Sequence, residues 1–322
     1  MVIRLGLKII GMGKGIPSLS VSNDDLSAFL DTNDEWIRQR TGIESRFICT
    51  DETLTDLSVC AAGEAIKNAK LTADDIDLII CTTIMGEYRT PSLACCVAER
   101  IGAVCPAFDV NAACAGFVYA LGTAEGFLSS GRYRNILIIC AEMMSSHADF
   151  TDRNTCVLFG DGAAACVVTE GNALRYVNLK CIPNIEVLNL PVGNGNNPFA
   201  AVKKESGYLF MKGKEVFKFA VNIVEQEAMT AFEKLGISPA DVDYYILHQA
   251  NKRIIDSARN KLGLEESRFP VNINRYGNIS SASIPILLCE MVEDGRIKKG
   301  DTLFVSAFGA GLTAGSVVLV WE

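Results

Sequence analysis

Histidine is nearly absent from this chain of 322 residues, which holds only His147 and His248. That scarcity argues against a zinc site, the more so because twelve cysteines include no C-x-x-C pair. No apolar run reaches the roughly 18 residues of a membrane span. There is no surplus of basic charge: 30 Lys and Arg stand against 38 Asp and Glu, a net charge of −8 and a sequence pI near 5.0. Nonspecific binding to nucleic acid is therefore not expected. The opening Met1-Val2-Ile3-Arg4-Leu5-Gly6 lacks a basic stretch followed by an apolar core, so no signal peptide is expected. What is present is an ordinary globular composition, 49% hydrophobic and 21% charged. It suits one large or two medium domains. The cysteines lie mostly in apolar stretches, where Cys60, Cys81, Cys140, Cys166 and Cys289 read as small core residues. Cys95 and Cys96 are adjacent, poor geometry for a structural bridge. Together they point to a reducing cytoplasm.

An internal repeat organises the chain. Residues 65–83 lie on residues 231–249 without a gap, at a constant offset of 166 (231 − 65). Each copy has the end of a helix, a turn, an Asp-hydrophobic-Asp element and an apolar strand. The first reads Asp75-Ile76-Asp77 and then Leu78-Ile79-Ile80-Cys81; the second reads Asp241-Val242-Asp243 and then Tyr244-Tyr245-Ile246-Leu247. Thr72 and Ser238 suit the N-cap of the short turn before each strand. Phe108-Asp109-Val110-Asn111 finds a partner in Val271-Asn272-Ile273-Asn274, and Ala163–Val168 finds one in Ala314–Leu319. The period is too long for a solenoid. It reads as two similar α/β halves, 1–172 and 173–322, with apolar strands covered by helices on both faces. Chemistry in such folds gathers at strand ends where the halves meet.

Three residues fall at such ends. Cys114 lies between the strand Ala107-Phe108-Asp109-Val110-Asn111 and a helix over Phe117 to Leu128, in Ala112-Ala113-Cys114-Ala115-Gly116. A thiol at a helix N-terminus meets the positive end of the dipole and unpaired N–H groups, which lower its pKa. On its own the same pattern also suits a small buried cysteine. His248 directly follows an apolar strand, in Leu247-His248-Gln249-Ala250-Asn251, and is the candidate partner for a nucleophilic cysteine. His147, in the polar run Ser145-Ser146-His147-Ala148-Asp149, is expected at the surface. Asn278 falls opposite Cys114 in the repeat, in Tyr276-Gly277-Asn278-Ile279-Ser280, by itself an ordinary turn. Gly309-Ala310-Gly311 follows the strand Leu303-Phe304-Val305, a tight loop able to expose backbone N–H groups.

Taken together, Ala113-Cys114-Ala115-Gly116, His248-Gln249-Ala250-Asn251 and Tyr276-Gly277-Asn278-Ile279-Ser280 resemble the β-ketoacyl-acyl carrier protein synthase III family. Further matches run nearly end to end: Thr32–Ile37, Arg40–Ile43, Thr151–Arg153, Phe159–Ala163, Gly213, Glu215–Lys218 and Ala307–Gly309. The resemblance implies a thiolase-like fold, a duplicated five-layer α-β-α-β-α arrangement, and a homodimer. It implies a condensing enzyme that starts type II fatty-acid synthesis and needs no metal or redox cofactor. Cys114 would attack an acyl-CoA thioester, with the backbone N–H groups of Cys114 and Ala310 holding the oxyanion. His248 and Asn278 would donate hydrogen bonds to malonyl-acyl carrier protein as it decarboxylates. Elongating relatives pair the cysteine with two histidines, a pattern this chain does not fit.

By the same resemblance, Trp36 and Arg153 would sandwich the CoA adenine. Arg40, Gly213 and Asn251 would complete the CoA site. Lys218, Arg253 and Lys261 would dock the acidic carrier protein, with Lys212, Lys214 and Lys252 enlarging the patch. Two departures stand out. The family loop that usually reads Gly-Gly-Gly is Gly309-Ala310-Gly311 here, and a positive φ at Ala310 would cost about 1 kcal/mol. Thr90 replaces a Phe often found before the Pro-Ser pair, at the end of the acyl pocket supplied by the dimer partner, and a smaller residue there would admit longer chains. Two other readings compete: a secondary-metabolism condensing or acyltransferase enzyme with a different acceptor, and a non-catalytic binding module on the same scaffold.

Overall fold

The computed structural model describes residues 6–193, 198–199, 201–202 and 205–322; Met1–Leu5, central to the N-terminal reading, lie outside them. Two sheets form the frame. The first runs Gly6–Gly15, Asp161–Gly171, Asn135–Met143, Leu78–Thr82, Ala107–Val110. The second runs Leu174–Cys181, Thr313–Val320, Thr302–Gly309, Tyr244–Leu247. In those orders, two antiparallel pairings come first in both, followed by two parallel pairings in the first sheet and one in the second. The second sheet lacks a fifth strand among the described residues. Val271 and Asn272 are irregular, and Ile273–Tyr276 is a short helix.

The repeated aspartates explain why the two sheets begin alike. The Asp75 carboxylate accepts both the N–H and the hydroxyl of Thr72, each at 2.8 Å, and closes the turn Ala73–Asp75. Asp241 accepts the same two groups of Ser238, at 2.7 and 2.8 Å, around Pro239–Asp241. Asp77 accepts the N–H groups of Arg134 and Asn135, and Asp243 accepts that of Thr302. Each second carboxylate thus ties the start of one parallel strand to the start of its neighbour.

Helices Gly116–Ser129 and Ser283–Glu293 lie between the sheets. Phe117, Leu121, Ile284 and Leu287 meet Leu78 and Ile138 of one sheet and Leu303 and Val317 of the other. Helices Leu54–Asn68 and Leu93–Ile101 cover the outer face of the first sheet, and Gly213–Leu235 and Lys252–Leu262 that of the second. The layers run α-β-α-β-α. Strands covered on both faces need no polar side, so Leu78–Thr82 is buried at every position. Four of the five cysteines expected in the core are buried; Cys60 is exposed. It lies off the stripe of Leu57, Ala61 and Ala65 that helix Leu54–Asn68 turns inward, a distinction that neighbouring composition does not make. All twelve cysteines are free. Among the described residues, no helix is long and apolar enough to cross a membrane.

Candidate functional site

The strand Ala107–Val110 hands the chain to a tight turn, Ala113–Ala115, before helix Gly116–Ser129 enters between the sheets. The turn is crowded. A methyl on Gly309 would stand 2.6 Å from the Cys114 nitrogen, so only glycine lets that backbone pass. Ala113 adopts a φ of 47°, a left-handed conformation that alanine rarely takes. The turn puts Cys114 in the lining of a cavity of about 740 Å³ shared with His248, Asn278, Phe308, Gly309 and Ala310. Burial pushes the Cys114 thiol up to about 12; Ser280 favours its charged form, while the nearby Glu142 carboxylate opposes it. Burial and the helix N-terminus thus act on this thiol in opposite senses.

His248 follows the strand Tyr244–Leu247, and its N–H donates to Ser306 O at 2.9 Å. It is 2% exposed, with Phe308 edge-on at 5.4 Å. Its Nδ1 lies 2.7 Å from Ser283 Oγ. That oxygen also accepts the Gln249 N–H at 3.4 Å, and its hydroxyl proton is free to turn toward Nδ1. With Ser283 donating to Nδ1, the imidazole carries its own proton on Nε2. Burial lowers the imidazole to about 3, so it is neutral at ordinary pH. Asn278 is 7% exposed. Its Oδ1 accepts the Ser280 N–H at 2.9 Å, which orients the amide and leaves its NH₂ group as donor. Its loop is clamped on both sides: Asn278 N–H donates to Leu158 O at 2.8 Å, and Gly160 N–H donates to Asn278 O at 3.2 Å. Two neutral hydrogen-bonding side chains and a cysteine thiol thus share one cavity.

The N–H groups of Cys114 and Ala310 have no acceptor among the described residues. Thr313 Oγ1 bridges Ala112 O at 2.9 Å and Ala310 O at 3.0 Å, joining the nucleophile turn to the glycine loop. The conditional cost at Ala310 does not arise. Gly311 takes the positive φ, 135°, and Ala310 does not.

Trp36, Arg40, Gly213 and Asn251 line the same cavity, and so does Lys214. Asn33 caps the helix Asp34–Thr41 through Trp36 N–H. Arg40 and Arg153 lie 4.8 and 5.3 Å from the Trp36 ring centroid. Arg153 at this distance leaves no room for a ring between it and Trp36, which would need about 7 Å, two van der Waals contacts. Asn251 caps helix Lys252–Leu262 and donates to Arg40 O at 3.0 Å. Arg253 and Lys261 share a shallow groove beside Phe217; Lys218 is exposed on the neighbouring helix. Lys261 is paired with Glu225, and Lys252 with Asp256 at 2.8 Å, so neither charge is free. Thr90 is exposed and does not line the cavity of its own chain. His147, expected at the surface, is half-buried, with its pKa lowered by burial. Its carbonyl accepts the Leu209 N–H from an overlying loop, a long-range contact that local polarity does not reveal.

Ser283 and Glu142 belong to the site without any sequence assignment. Glu142 left one trace, a carboxylate ending the apolar strand Ile136–Ala141. Ser283 left none. Among the described residues, no group of three or more His, Cys, Asp or Glu is arranged to hold a metal ion.

Comparison with known proteins follows the same lines. The family model for 3-oxoacyl-[acyl-carrier-protein] synthase III matches residues 108–182, and that for the C-terminal part of the same enzymes matches residues 232–321. The β-ketoacyl-[acyl-carrier-protein] synthase III of Clostridium perfringens is 44% identical over 321 residues, covering 97% of this chain and 98% of its own. The crystal structure of the Aquifex aeolicus synthase III is 42% identical, with a TM-score of 0.91 over 98% of this chain and 100% of that one. The priming β-ketosynthase of the R1128 polyketide pathway has a TM-score of 0.92 at 33% identity, over 99% of this chain and 97% of that one.

Proposed function

Since the chain belongs to the β-ketoacyl-[acyl-carrier-protein] synthase III family, we propose that Cys114, His248 and Asn278 divide its chemistry as two half-reactions. The enzyme is a condensing acyltransferase that joins an acyl-CoA primer to malonyl-acyl carrier protein and so initiates fatty-acid synthesis. In the first half, Cys114 sulfur attacks the thioester carbonyl and the free N–H groups of Cys114 and Ala310 receive the oxyanion. Loss of one such donor costs on the order of 3 kcal/mol elsewhere. CoA leaves and the acyl group stays on sulfur. In the second half, Nε2–H of His248 and the NH₂ of Asn278 hold the malonyl thioester oxygen as CO₂ departs. The resulting carbanion attacks the acyl carbon, and the 3-oxoacyl carrier protein is released. Neither donor changes charge, which suits a histidine that burial keeps neutral. The observation that carries this reading is the convergence of the three side chains on one cavity.

The remaining assignments follow from the same site. Trp36, Arg40, Arg153, Gly213 and Asn251 receive the CoA end, with Arg153 swinging off Trp36 to admit the adenine. Lys218 and Arg253 dock the carrier protein, with Lys261 contributing once Glu225 releases it. A second copy of the chain supplies Thr90 to the acyl pocket. The halves 1–172 and 173–322 are copies of one unit, a reading supported by the matching aspartate turns. No step draws on a metal or redox cofactor, and twelve free cysteines suit the cytoplasm. The polyketide-priming alternative is not favoured, at 33% identity against 44%.

The test is mass spectrometry of the protein mixed with acetyl-CoA, then with malonyl-acyl carrier protein. The parent should gain and then lose one acyl group, and Cys114→Ser should gain none. An acyl group found elsewhere, or retained by Cys114→Ser in equal amount, would sink the assignment.

A further inference from the structure

The two oxyanion donors stand 196 positions apart (310 − 114). The Cys114 N–H belongs to the turn Ala113–Ala115, which follows the edge strand Ala107–Val110 of the first sheet. The Ala310 N–H belongs to the loop between strands Thr302–Gly309 and Thr313–Val320 of the second sheet. Two donors serve one oxygen only if each lies about 2.7–3.1 Å from it. Their separation therefore depends on how closely the two loops are held together. Gly309 sets the near limit, since a methyl there would stand 2.6 Å from the Cys114 nitrogen. Thr313 supplies the tie. It is the register partner of Gly309 across the hairpin. Its Oγ1 lies 2.9 Å from Ala112 O, on the nucleophile turn, and 3.0 Å from Ala310 O, on the glycine loop. One hydroxyl proton thus faces two carbonyl oxygens, one on each loop. The Thr313 Cγ2 packs beside Gly311, where a methyl would stand 3.0 Å from it, and a β-branched side chain has few rotamers to choose from.

The other anchors hold each loop to its own surroundings. Asn111 Oδ1 accepts the Ala113 N–H at 3.1 Å. Gly311 O accepts the Asn184 N–H at 2.8 Å, and Leu312 N–H donates to Ile182 O at 2.9 Å. Among the described residues, Thr313 is the one side chain hydrogen-bonded to both loops. It is not part of the cavity lining. We propose that the Thr313 hydroxyl is the positioning group of the oxyanion hole, setting the separation of the Cys114 and Ala310 N–H groups. The inference rests on the assignment of those two donors. Valine suits a strand as well as threonine does, so the sheet itself does not call for the hydroxyl. A methyl in its place removes the shared proton and puts carbon where oxygen stood 2.9 and 3.0 Å from two carbonyls. Carbon keeps about 3.3–3.6 Å from such an oxygen, so the loops part by about 0.5 Å and the donors leave their range.

Three variants separate the hydroxyl from the fold. Thr313→Val keeps the shape, Thr313→Ala removes the hydroxyl without crowding, and Thr313→Ser keeps the hydroxyl. Outright loss of an oxyanion donor costs about 10²–10³ in kcat elsewhere, so single-turnover acylation by acetyl-CoA should fall about 10-fold in the Val and Ala variants. The acetyl-CoA concentration at half-maximal rate should not move, because Thr313 touches no substrate. Thr313→Ser should acylate within about threefold of the parent. Decarboxylation of malonyl-acyl carrier protein by enzyme whose Cys114 is blocked draws on His248 and Asn278, and should match the parent in all three. The infrared carbonyl band of isotopically labelled acetyl-enzyme reports the pull of the two donors. It should move to higher frequency in the Val and Ala variants and stay in place in Thr313→Ser. Parental acylation in a folded Val or Ala variant would overturn the inference. So would an unmoved band, an equal loss in both half-reactions, or a Thr313→Ser variant as slow as Thr313→Val. A parent that takes no acetyl group at Cys114 would instead remove the donor assignment, a result seen before any substitution is made.

Discussion

Ser283→Ala tests the hydrogen bond that sets the histidine. The hydroxyl at 2.7 Å from Nδ1 selects the tautomer with Nε2–H toward the cavity. Without it, both neutral tautomers become available, and the wrong one turns a lone pair toward the thioester oxygen. A net hydrogen bond is worth about 1 kcal/mol, and a buried nitrogen left unsatisfied costs about 1–3 kcal/mol. At 1.4 kcal/mol per tenfold, the tautomer effect alone slows decarboxylation about fivefold, and the combined effect, about 2–4 kcal/mol, corresponds to roughly 30- to 700-fold. Acylation of Cys114 does not use Nε2 and should stay within about twofold of the parent. The assay follows CO₂ release from malonyl-acyl carrier protein on enzyme whose Cys114 is blocked, beside the rate of acyl mass gain on unblocked enzyme. A Ser283→Ala variant that melts like a folded protein and decarboxylates at the parental rate would refute the reasoning. So would an equal loss in both half-reactions.

Three further outcomes are expected. His248→Ala should abolish decarboxylation measurably while leaving acyl transfer to Cys114 detectable by mass, and retained condensation would overturn the role. The buried imidazole also carries a pH signature: its pKa near 3 lies below the 6.5 of an unfolded histidine. The unfolded chain binds that proton first, so this contribution to stability is complete above about pH 6.5 and drains away toward pH 3; denaturant titrations of the parent and His248→Ala should diverge in that sense. Trp36→Ala removes a ring face worth about 1–3 kcal/mol to a stacked base, so KM for acyl-CoA should rise roughly 5- to 100-fold with kcat little changed; an unchanged KM would remove Trp36 from the CoA site. Finally, with Thr90 in place of a bulkier residue, acyl-CoA primers longer than acetyl should be accepted in a series from acetyl to dodecanoyl, and activity confined to acetyl-CoA would contradict that.

Local chemistry was enough to mark much of this protein. Asp75 and Asp241 cap their turns through groups three residues away, and the apolar runs after Asp77 and Asp243 can only be covered strands. Cys114 and His248 were visible because strand-to-loop junctions of an α/β repeat point to one end of its sheets; Asn278, which follows the short helix Ile273–Tyr276, was marked by its place in the repeat and by the resemblance. What the linear order could not supply was everything set by solvent exclusion and long-range contact. Burial pushes the Cys114 thiol up, and Glu142, 28 positions later, pushes it the same way. The tautomer of His248 depends on Ser283, 35 positions later. Lys261 lost its free charge to Glu225, a helix away. Spacing along a chain reports which groups share a turn or a strand; charge, protonation and pairing depend on what the folded layers bring against them.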